Sequence, residues 1–377
     1  MLAMRGIEPR VRPELLDALT LAPRWFNQVY RDLYVNAAKH FPRFNGWLYD
    51  RTDVRGVPEH RGAASAIESR ALRRFLRSPS VRQADLIVCT HFLCARVLSR
   101  LRGQGMLNAK LAVIVTDQHP HAVWRVPHAD LFLVASESAA DEMRRNHVDP
   151  RRVLVTGIPI DGRFDRAMSR AAARAKLMLP ADAPLILLTG GGLGLGGIDS
   201  ALAGILATRG DHFTVVVCGH NHELRARLLN RVGGGTASGR CRILGVTTKM
   251  HELMAAADLM VGKPGGLTTA EAAARGLPMV LLRPIPGQEE RNAQVLVQAN
   301  GAVRRDDPYD AGKTAATLVA QPDALRPLRH AARALGRPGA ARAAARAAIE
   351  LCSCRDSSSF RIDSARGNRA PAELVSQ

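Results

Sequence analysis

From residue 84 onward the chain alternates short apolar runs with helical stretches, and no other property of the sequence narrows the fold so far. The runs lie at 86–90, 111–116, 131–135, 153–157, 185–190, 214–219, 242–245, 259–262 and 278–282, and they end mostly in Gly, Thr, Asp or Pro. Between them lie stretches with helical periodicity, such as 137–146, 198–208, 250–257 and 268–275. Apolar runs of about four to eight residues set between helices are what a parallel sheet covered on both faces requires. The alternation predicts an α/β fold built from βα units.

Two such series can be separated. The first runs to about Gly157, and Ile158-Pro159-Ile160 followed by Asp161-Gly162 reads as the linker out of it. A Pro/Gly linker between two βα series is a plausible hinge, and clefts between domains are favoured ligand sites. The expected division is a first Rossmann-like domain over 1–158, a second over 159–324, Ala/Arg-rich helices over 325–351 and a tail over 352–377 with the composition of disorder. The first 80 residues stand outside the alternation. They hold amphipathic stretches at 25–34 and 64–76, but no Gly-rich strand-to-helix turn of the kind that opens a doubly wound domain. The first domain is therefore expected to be incomplete at its N-terminus.

The 46% hydrophobic and 23% charged residues of the 377 are those of a globular chain, not of a disordered or fibrous one. No apolar run approaches the ~18–20 residues that span a bilayer, and MLAMRGIEPRVRPELL has no apolar core of a secretory signal. The six cysteines (Cys89, Cys94, Cys218, Cys241, Cys352 and Cys354) form no C-x-x-C pair, which reads as reduced thiols rather than a disulfide frame or zinc site. The formal charge of +19 is compatible with nucleic acid, an anionic membrane or phosphorylated substrates. It is also what a compositional drift toward arginine, alanine and glycine produces without any function. Nucleic acid is disfavoured, because the arginines are dispersed, aromatics make up 4%, and no helix-turn-helix, zinc or RNA-binding pattern is present.

Four segments carry chemistry. Thr189 to Gly197 reads TGGGLGLGG between a strand and a helix, so Gly191, Gly192 and Gly194 let backbone N–H groups approach an anion at a helix N-terminus. Lys263-Pro264-Gly265-Gly266-Leu267-Thr268 has the same context, with Thr268 expected to cap the helix and reach a phosphate oxygen. Glu271, three residues on, fits either a capping box with Thr268 or a carboxylate for a ribose diol. Pro284-Ile285-Pro286-Gly287 before Gln288, Glu289 and Asn292 suits a loop that reads hydroxyl groups, or a solvated helix start with acids on the dipole. Thr116-Asp117-Gln118-His119-Pro120-His121 ends a strand of the first series, where open α/β sheets place ligands. Asp117, His119 and His121 are candidates for a general base or for substrate positioning. Their spacing is no familiar zinc pattern, and no metal is expected.

Taken together, GIPIDGRF, GGGLGLGGI, VVCGHN and MHELMAAADLMVGKPGGLTTAEAAARGLPMVLLRPIPGQEERNA resemble the monogalactosyldiacylglycerol synthase and processive diacylglycerol glucosyltransferase family. That group is related to the enzyme that adds N-acetylglucosamine to the lipid-linked peptidoglycan precursor. The resemblance covers about residues 20–330 and is strongest over 258–293. It implies a GT-B fold, with two Rossmann-like domains facing a cleft and the nucleotide sugar held mainly by the second. On that basis the 191–197 loop and Gly266-Leu267-Thr268 would hold the diphosphate and Glu271 the ribose. Gly219 and Asn221 belong to the same donor set, together with Lys263, Pro264 and Gly265. Val246, Thr247 and Met250 would line the uracil pocket, and Gln288, Glu289 and Asn292 would contact the sugar. The family implies inversion by direct displacement with no metal or other cofactor, a UDP-sugar donor, and a lipid acceptor such as diacylglycerol. It also implies a cytoplasmic enzyme peripheral to the inner face of the cell membrane. The stretch 22–47, with Trp25, Phe26, Tyr30, Tyr34, Phe41, Phe44 and Trp47 among arginines, would meet the anionic surface.

The chain departs from the family pattern in three places. No G-x-G-H loop, with its candidate general base, is present. Asp161 stands where some relatives carry arginine, with Arg163 two residues later. The uracil-side loop is Gly245-Val246-Thr247-Thr248-Lys249-Met250, where relatives more often have an aromatic and an acidic residue. The alternative reading is a donor-binding chain that is catalytically impaired.

Overall fold

A computed structural model of the chain describes residues 1–30, 42–59, 62–233 and 239–353. The alternation in the sequence folds into two parallel sheets. The first contains β1 (Leu86–Cys89), β2 (Lys110–Ile114), β3 (Leu131–Val134) and β4 (Val153–Val155) in the order β1-β2-β3-β4. The second contains β5 (Leu185–Thr189), β6 (Phe213–Val217), β7 (Cys241–Leu244), β8 (Leu259–Gly262), β9 (Met279–Leu281) and β10 (Ala302–Arg304) in the order β10-β9-β8-β5-β6-β7. Each expected run becomes a strand with its ends within two residues. Only β10 is additional: three residues with two of them half-buried carry too weak an apolar signal to read as a strand.

Strand side chains alternate between faces, and each face has its own cover. In the first sheet Leu111, Val113, Phe132 and Val134 pack with Leu93, Val97 and Leu98 of helix Phe92–Gly103 and Met143 of helix Glu137–Arg145. Strands joined in simple sequence by right-handed crossovers put their connecting helices on one face. The other face, Ala112, Ile114, Leu131 and Leu133, is covered from far along the chain by Ala344, Ala347 and Leu351 of helix Ala340–Ser353.

The second sheet is doubly wound. Leu185 and Leu187 of β5 face one cluster, and Ile186 and Leu188 face the other. The chain moves outward from β5 through β6 to β7, then returns to β8 on the opposite side. The strand order therefore reverses between β5 and β8, and that crevice is where ligands bind in such sheets. On one face, helices Ile198–Ala207 and Pro308–Val319 approach closely. A Cβ on Gly204 or on Gly312 would stand 2.0 Å from a backbone oxygen of the facing helix.

Both crossings between the sheets lie side by side. Gly157 (φ +83°) leaves no room for a side chain, since a Cβ there would sit 2.5 Å from Cβ of Arg337 on the returning segment. The Gly339 N–H donates to Asp165 Oδ1 at 2.9 Å.

Two helical expectations change. The stretch expected as one helix over 64–76 breaks at Leu72 into Ala63–Ala71 and Arg73–Arg77. Phe26, expected on a membrane-facing surface, is only 6% exposed and belongs to the core, while Trp25 beside it is 52% exposed. Tyr34, Phe41, Cys354 and residues 355–377 lie outside the described residues, as do the side chains of 42–45 that include Phe44. Among the described residues no helix is long and apolar enough to cross a membrane.

Candidate functional site

The two Gly-rich turns meet at the point where the second sheet reverses. After β5 the chain closes on itself, with the Leu195 N–H donating to the Gly190 carbonyl at 3.1 Å and Gly194 N–H to Gly191 O at 3.1 Å. Gly191, Gly194, Gly196 and Gly197 all take positive φ, which L side chains adopt at a cost. Gly219 fits under this loop, because a Cβ there would lie 2.4 Å from the Gly192 carbonyl, and its own φ is +58°. Asn221 supports the loop from below, standing 3.5 Å from the Gly194 carbonyl and accepting from Leu224 N at 2.9 Å. Gly196 packs on the stem of Lys263, so the turns after β5 and β8 are in contact.

After β8, helix Gly266–Ala274 begins with Gly265 at its N-cap and no side chain capping it. This corrects the expected cap: Thr268 lies within the first turn, and the capping box with Glu271 does not form. The first backbone bond into the helix is Thr269 N–H to Gly265 O at 2.9 Å. The N–H groups of Gly266, Leu267 and Thr268 therefore point outward at the positive end of the helix dipole. Glu271, one turn further, has no hydrogen-bond or ion-pair partner among the described residues. Burial, and then the negative charge of Asp161, raises its carboxyl to about 7. Asp161 is itself paired with Arg163 at 2.8 Å, and Arg163 Nη1 donates to the Thr248 carbonyl at 3.1 Å. That bond brings the linker between the sheets against the loop of Val246, Thr247 and Met250. In this loop Val246 is exposed and Thr247 Oγ1 accepts from Lys249 N.

The loop after β2 crosses to the segments that follow β8 and β9. Asn292, fully buried, accepts from Gln118 N at 3.0 Å and donates to the Pro264 carbonyl at 3.0 Å. Gln288 Nε2 donates to Asp117 Oδ1, and Trp124 Nε1 donates to Asp117 Oδ2 at 2.7 Å. Glu289 pairs with Lys263 at 3.1 Å and accepts from Ile285 N at 2.8 Å. Gly266 must be glycine here, since a Cβ would stand 2.2 Å from the Thr116 carbonyl. The residues expected to read the sugar thus form a bracket that joins the two sheets. Burial raises Asp117 to about 6, against the opposing pull of the Trp124 and Gln288 hydrogen bonds and of His119.

The two histidines separate. His121 accepts from Val123 N through Nδ1 at 3.1 Å and its Nε2 donates to the Tyr49 carbonyl at 2.8 Å. Both ring nitrogens are engaged, and burial keeps the ring neutral by lowering its pKa. His119 instead meets Asp53 through Nε2 at 3.2 Å, and its other nitrogen has no partner among the described residues. Burial alone would raise Asp53, but the His119 hydrogen bond, the charges of His121 and Arg125 and the Ala122 N–H bring it to about 2.

The N-terminal part of the chain, residues 6–160, matches the monogalactosyldiacylglycerol (MGDG) synthase family, and residues 185–321 match the glycosyltransferase family 28 C-terminal domain. Over 288 residues the chain is 31% identical to the processive diacylglycerol beta-glucosyltransferase of Staphylococcus aureus strain JH9, covering 76% of this chain and 71% of that one. The chain belongs to this glycosyltransferase family. Solved structures give the same architecture. Acinetobacter baumannii MurG superposes with a TM-score of 0.54 at 18% identity, over 76% of this chain and 80% of that one. The Staphylococcus aureus MnaA–UDP co-structure superposes with a TM-score of 0.57 at 15% identity, over 77% and 81%. The fold is GT-B, with two Rossmann-like domains.

The segments expected to hold the donor lie on the second sheet, and the turns after β5 and β8 meet at the crevice between those strands. Asp53 and Tyr49, which contact the candidate residues His119 and His121, are the neighbours that sequence reasoning missed. They sit in or just after helix Pro42–Thr52, which lies against the Pro286-Gly287 turn: a Cβ on Gly46 would stand 2.7 Å from Pro286 Cβ, and one on Gly287 3.0 Å from the Tyr49 ring. Among the described residues no group of three or more His, Cys, Asp or Glu is placed to hold a metal ion.

Proposed function

We propose that the protein transfers a hexose from a UDP-sugar to the hydroxyl of a lipid acceptor, with diacylglycerol the first choice, in glycolipid synthesis. One observation carries the donor reading. The open first turn of helix Gly266–Ala274, the glycine loop after β5 and the unpartnered Glu271 share the crevice at which the sheet reverses. Outward N–H groups on a helix dipole suit a diphosphate, and a partnerless carboxylate one turn away suits a ribose diol.

In the proposed reaction the acceptor oxygen attacks the anomeric carbon as the bond to the diphosphate oxygen breaks, with inversion. The hydroxyl proton passes to the free nitrogen of His119, whose ring Asp53 orients from the other side. The departing diphosphate gains its stabilisation from the first-turn N–H groups, which are already aimed and need no reorganisation. Asp117 and His121 take supporting places, since the polar atoms of both are engaged.

A lipid acceptor calls for a membrane surface, and the exposed apolar side chains near the N-terminus supply one. Trp25, Val29, Trp47 and Leu48 are 52%, 56%, 55% and 44% exposed, and the Arg51 guanidinium lies over the Trp47 ring at 5.7 Å. Aromatic rings interleaved with arginine fit an anionic interface. On this reading the enzyme works at the cytoplasmic face of the cell membrane.

The test is transfer from UDP-glucose and UDP-galactose to diacylglycerol in mixed micelles, for wild type, His119→Ala and Asp53→Asn. The expected result is lipid glycosylation that falls about 10²–10⁴-fold in kcat in His119→Ala with the donor KM unchanged, and a smaller loss in Asp53→Asn. Full activity in His119→Ala would remove the histidine from the mechanism. A chain that binds UDP and transfers neither sugar would be the donor-binding protein of the alternative reading.

A further inference from the structure

The end of the second sheet opposite the β5/β8 crevice holds an unusual concentration of guanidinium groups. Asp258 sits directly before β8, on the edge where the strands begin, and is 7% exposed. Its Oδ2 accepts from Arg174 Nη2 at 2.7 Å and Leu185 N at 2.9 Å. Its Oδ1 meets Arg170 Nη1 at 2.7 Å and Arg329 Nη2 at 3.3 Å. Arg174 is 4% exposed and fixed, with Nε on the Ala256 carbonyl at 3.1 Å and Nη1 on the Ala181 carbonyl. One carboxylate therefore faces three guanidinium groups. Arg170 and Arg329 keep further N–H groups without partners among the described residues.

These residues line a pocket of about 430 Å³, with Asp182 and Pro322 also in its wall. Two helices begin at it: Arg170–Leu177 through its first residue, and Pro322–Leu335, whose N-cap makes no side-chain hydrogen bond. Both direct the positive ends of their dipoles to the same space. Burial, and then the charge of Arg170, lowers the Arg329 guanidinium from its ordinary value against the opposing pull of Asp258, the single carboxylate shared among the three guanidinium groups.

We propose that this pocket is a second anion site, which takes a phosphate group between Arg170 and Arg329 with Arg174 as its fixed floor. Guanidinium forks match phosphate oxygens two at a time, and the unpartnered N–H groups of two arginines are those required. The site stands about 15 Å from the donor crevice, the length of β5 at about 3.3 Å per residue. It does not depend on the donor reading. The phosphate would come either from a lipid headgroup at the membrane surface or from a soluble phosphate ester.

The experiment titrates the full chain with inorganic phosphate against chloride at matched ionic strength, for wild type, Arg170→Ala, Asp182→Ala and Asp141→Ala. Arg170 is the variant of choice because Asp258 keeps Arg174, Arg329 and Leu185 N. The expected result is binding that weakens about tenfold in Arg170→Ala, the loss of one charge-assisted hydrogen bond. Binding should tighten in Asp182→Ala and stay unchanged in Asp141→Ala, whose carboxylate is exposed on helix Glu137–Arg145 and pairs with Arg144. Equal responses to phosphate and chloride, or a phosphate response kept in full without Arg170, would overturn the proposal. Co-sedimentation with phosphatidylglycerol vesicles, against phosphatidylcholine vesicles, separates the sources. Binding that falls in Arg170→Ala assigns the site to a headgroup, and binding that does not assigns it to a soluble phosphate.

Discussion

Glu271 is the side chain on which the proposed ribose contact rests. Its carboxyl stands half-buried with no hydrogen-bond or ion-pair partner among the described residues and is raised to about 7 by burial and by Asp161. A ribose diol donates hydrogen bonds to the ionised form, so UDP affinity should rise between pH 6 and pH 8, and binding should release a proton. Glu271→Gln should bind about tenfold more weakly with a flat pH profile; calorimetry in buffers of different ionisation enthalpy reads both effects. Without ligand the sign reverses. The folded state holds the extra proton between the usual carboxylate range and about 7, so Glu271 lowers stability as pH rises through that window, and Glu271→Gln removes this slope. Spacing alone left the residue open to a capping box, and the resemblance favoured ribose. The structure rejects the capping box because Gly265, not Thr268, is the N-cap. Asp53 was not legible at all. It meets His119 from 66 positions away, from the first 80 residues that stand outside the strand-helix alternation.

At the scale of elements, the strands were legible because burial on both faces forces continuous apolar runs, which are unlike anything else in the sequence. Helix Ala340–Ser353 was legible as a helix, yet not its place. An alanine face fits many sheets, and only the simple strand order of the first sheet shows which face lacked a cover. Helices Ile198–Ala207 and Pro308–Val319 make the sharpest stability prediction. Their contact depends on Gly204 and Gly312, where a Cβ would stand 2.0 Å from the Tyr309 and Ala201 carbonyl oxygens. Backbone cannot yield as a side chain can, so Gly312→Ala should cost about 1–3 kcal/mol or more through helix displacement. Urea unfolding should show a lower midpoint, whereas Gly6→Ala, with open space around its Cβ position, should leave the midpoint in place. An unchanged midpoint in Gly312→Ala would mean that the two helices are not in this contact.

Across the whole molecule the two sheets are joined by paired crossings on one side and by the Asn292, Gln288 and Gly266 contacts on the other. These long-range pairs lie beyond any local pattern, so the expectation of sugar contacts for Gln288 and Asn292 carried no sign that both side chains also bridge the sheets. The N-terminal surface tests the membrane reading. Trp25→Ser with Trp47→Ser should weaken binding to anionic vesicles without unfolding the protein, because both rings are more than half exposed. Phe26→Ser should destabilise the fold instead, and vesicle binding unaffected by the double tryptophan change would move the membrane face elsewhere. The central claim is that the crevice between β5 and β8 is a nucleotide-sugar site, and it is met most directly by titrating UDP into the full chain and its Glu271→Ala variant. Saturable one-to-one binding that is lost or strongly weakened in a variant with unchanged circular dichroism is the predicted result. A folded wild-type protein that takes up no UDP, or binding indifferent to Glu271, would contradict it.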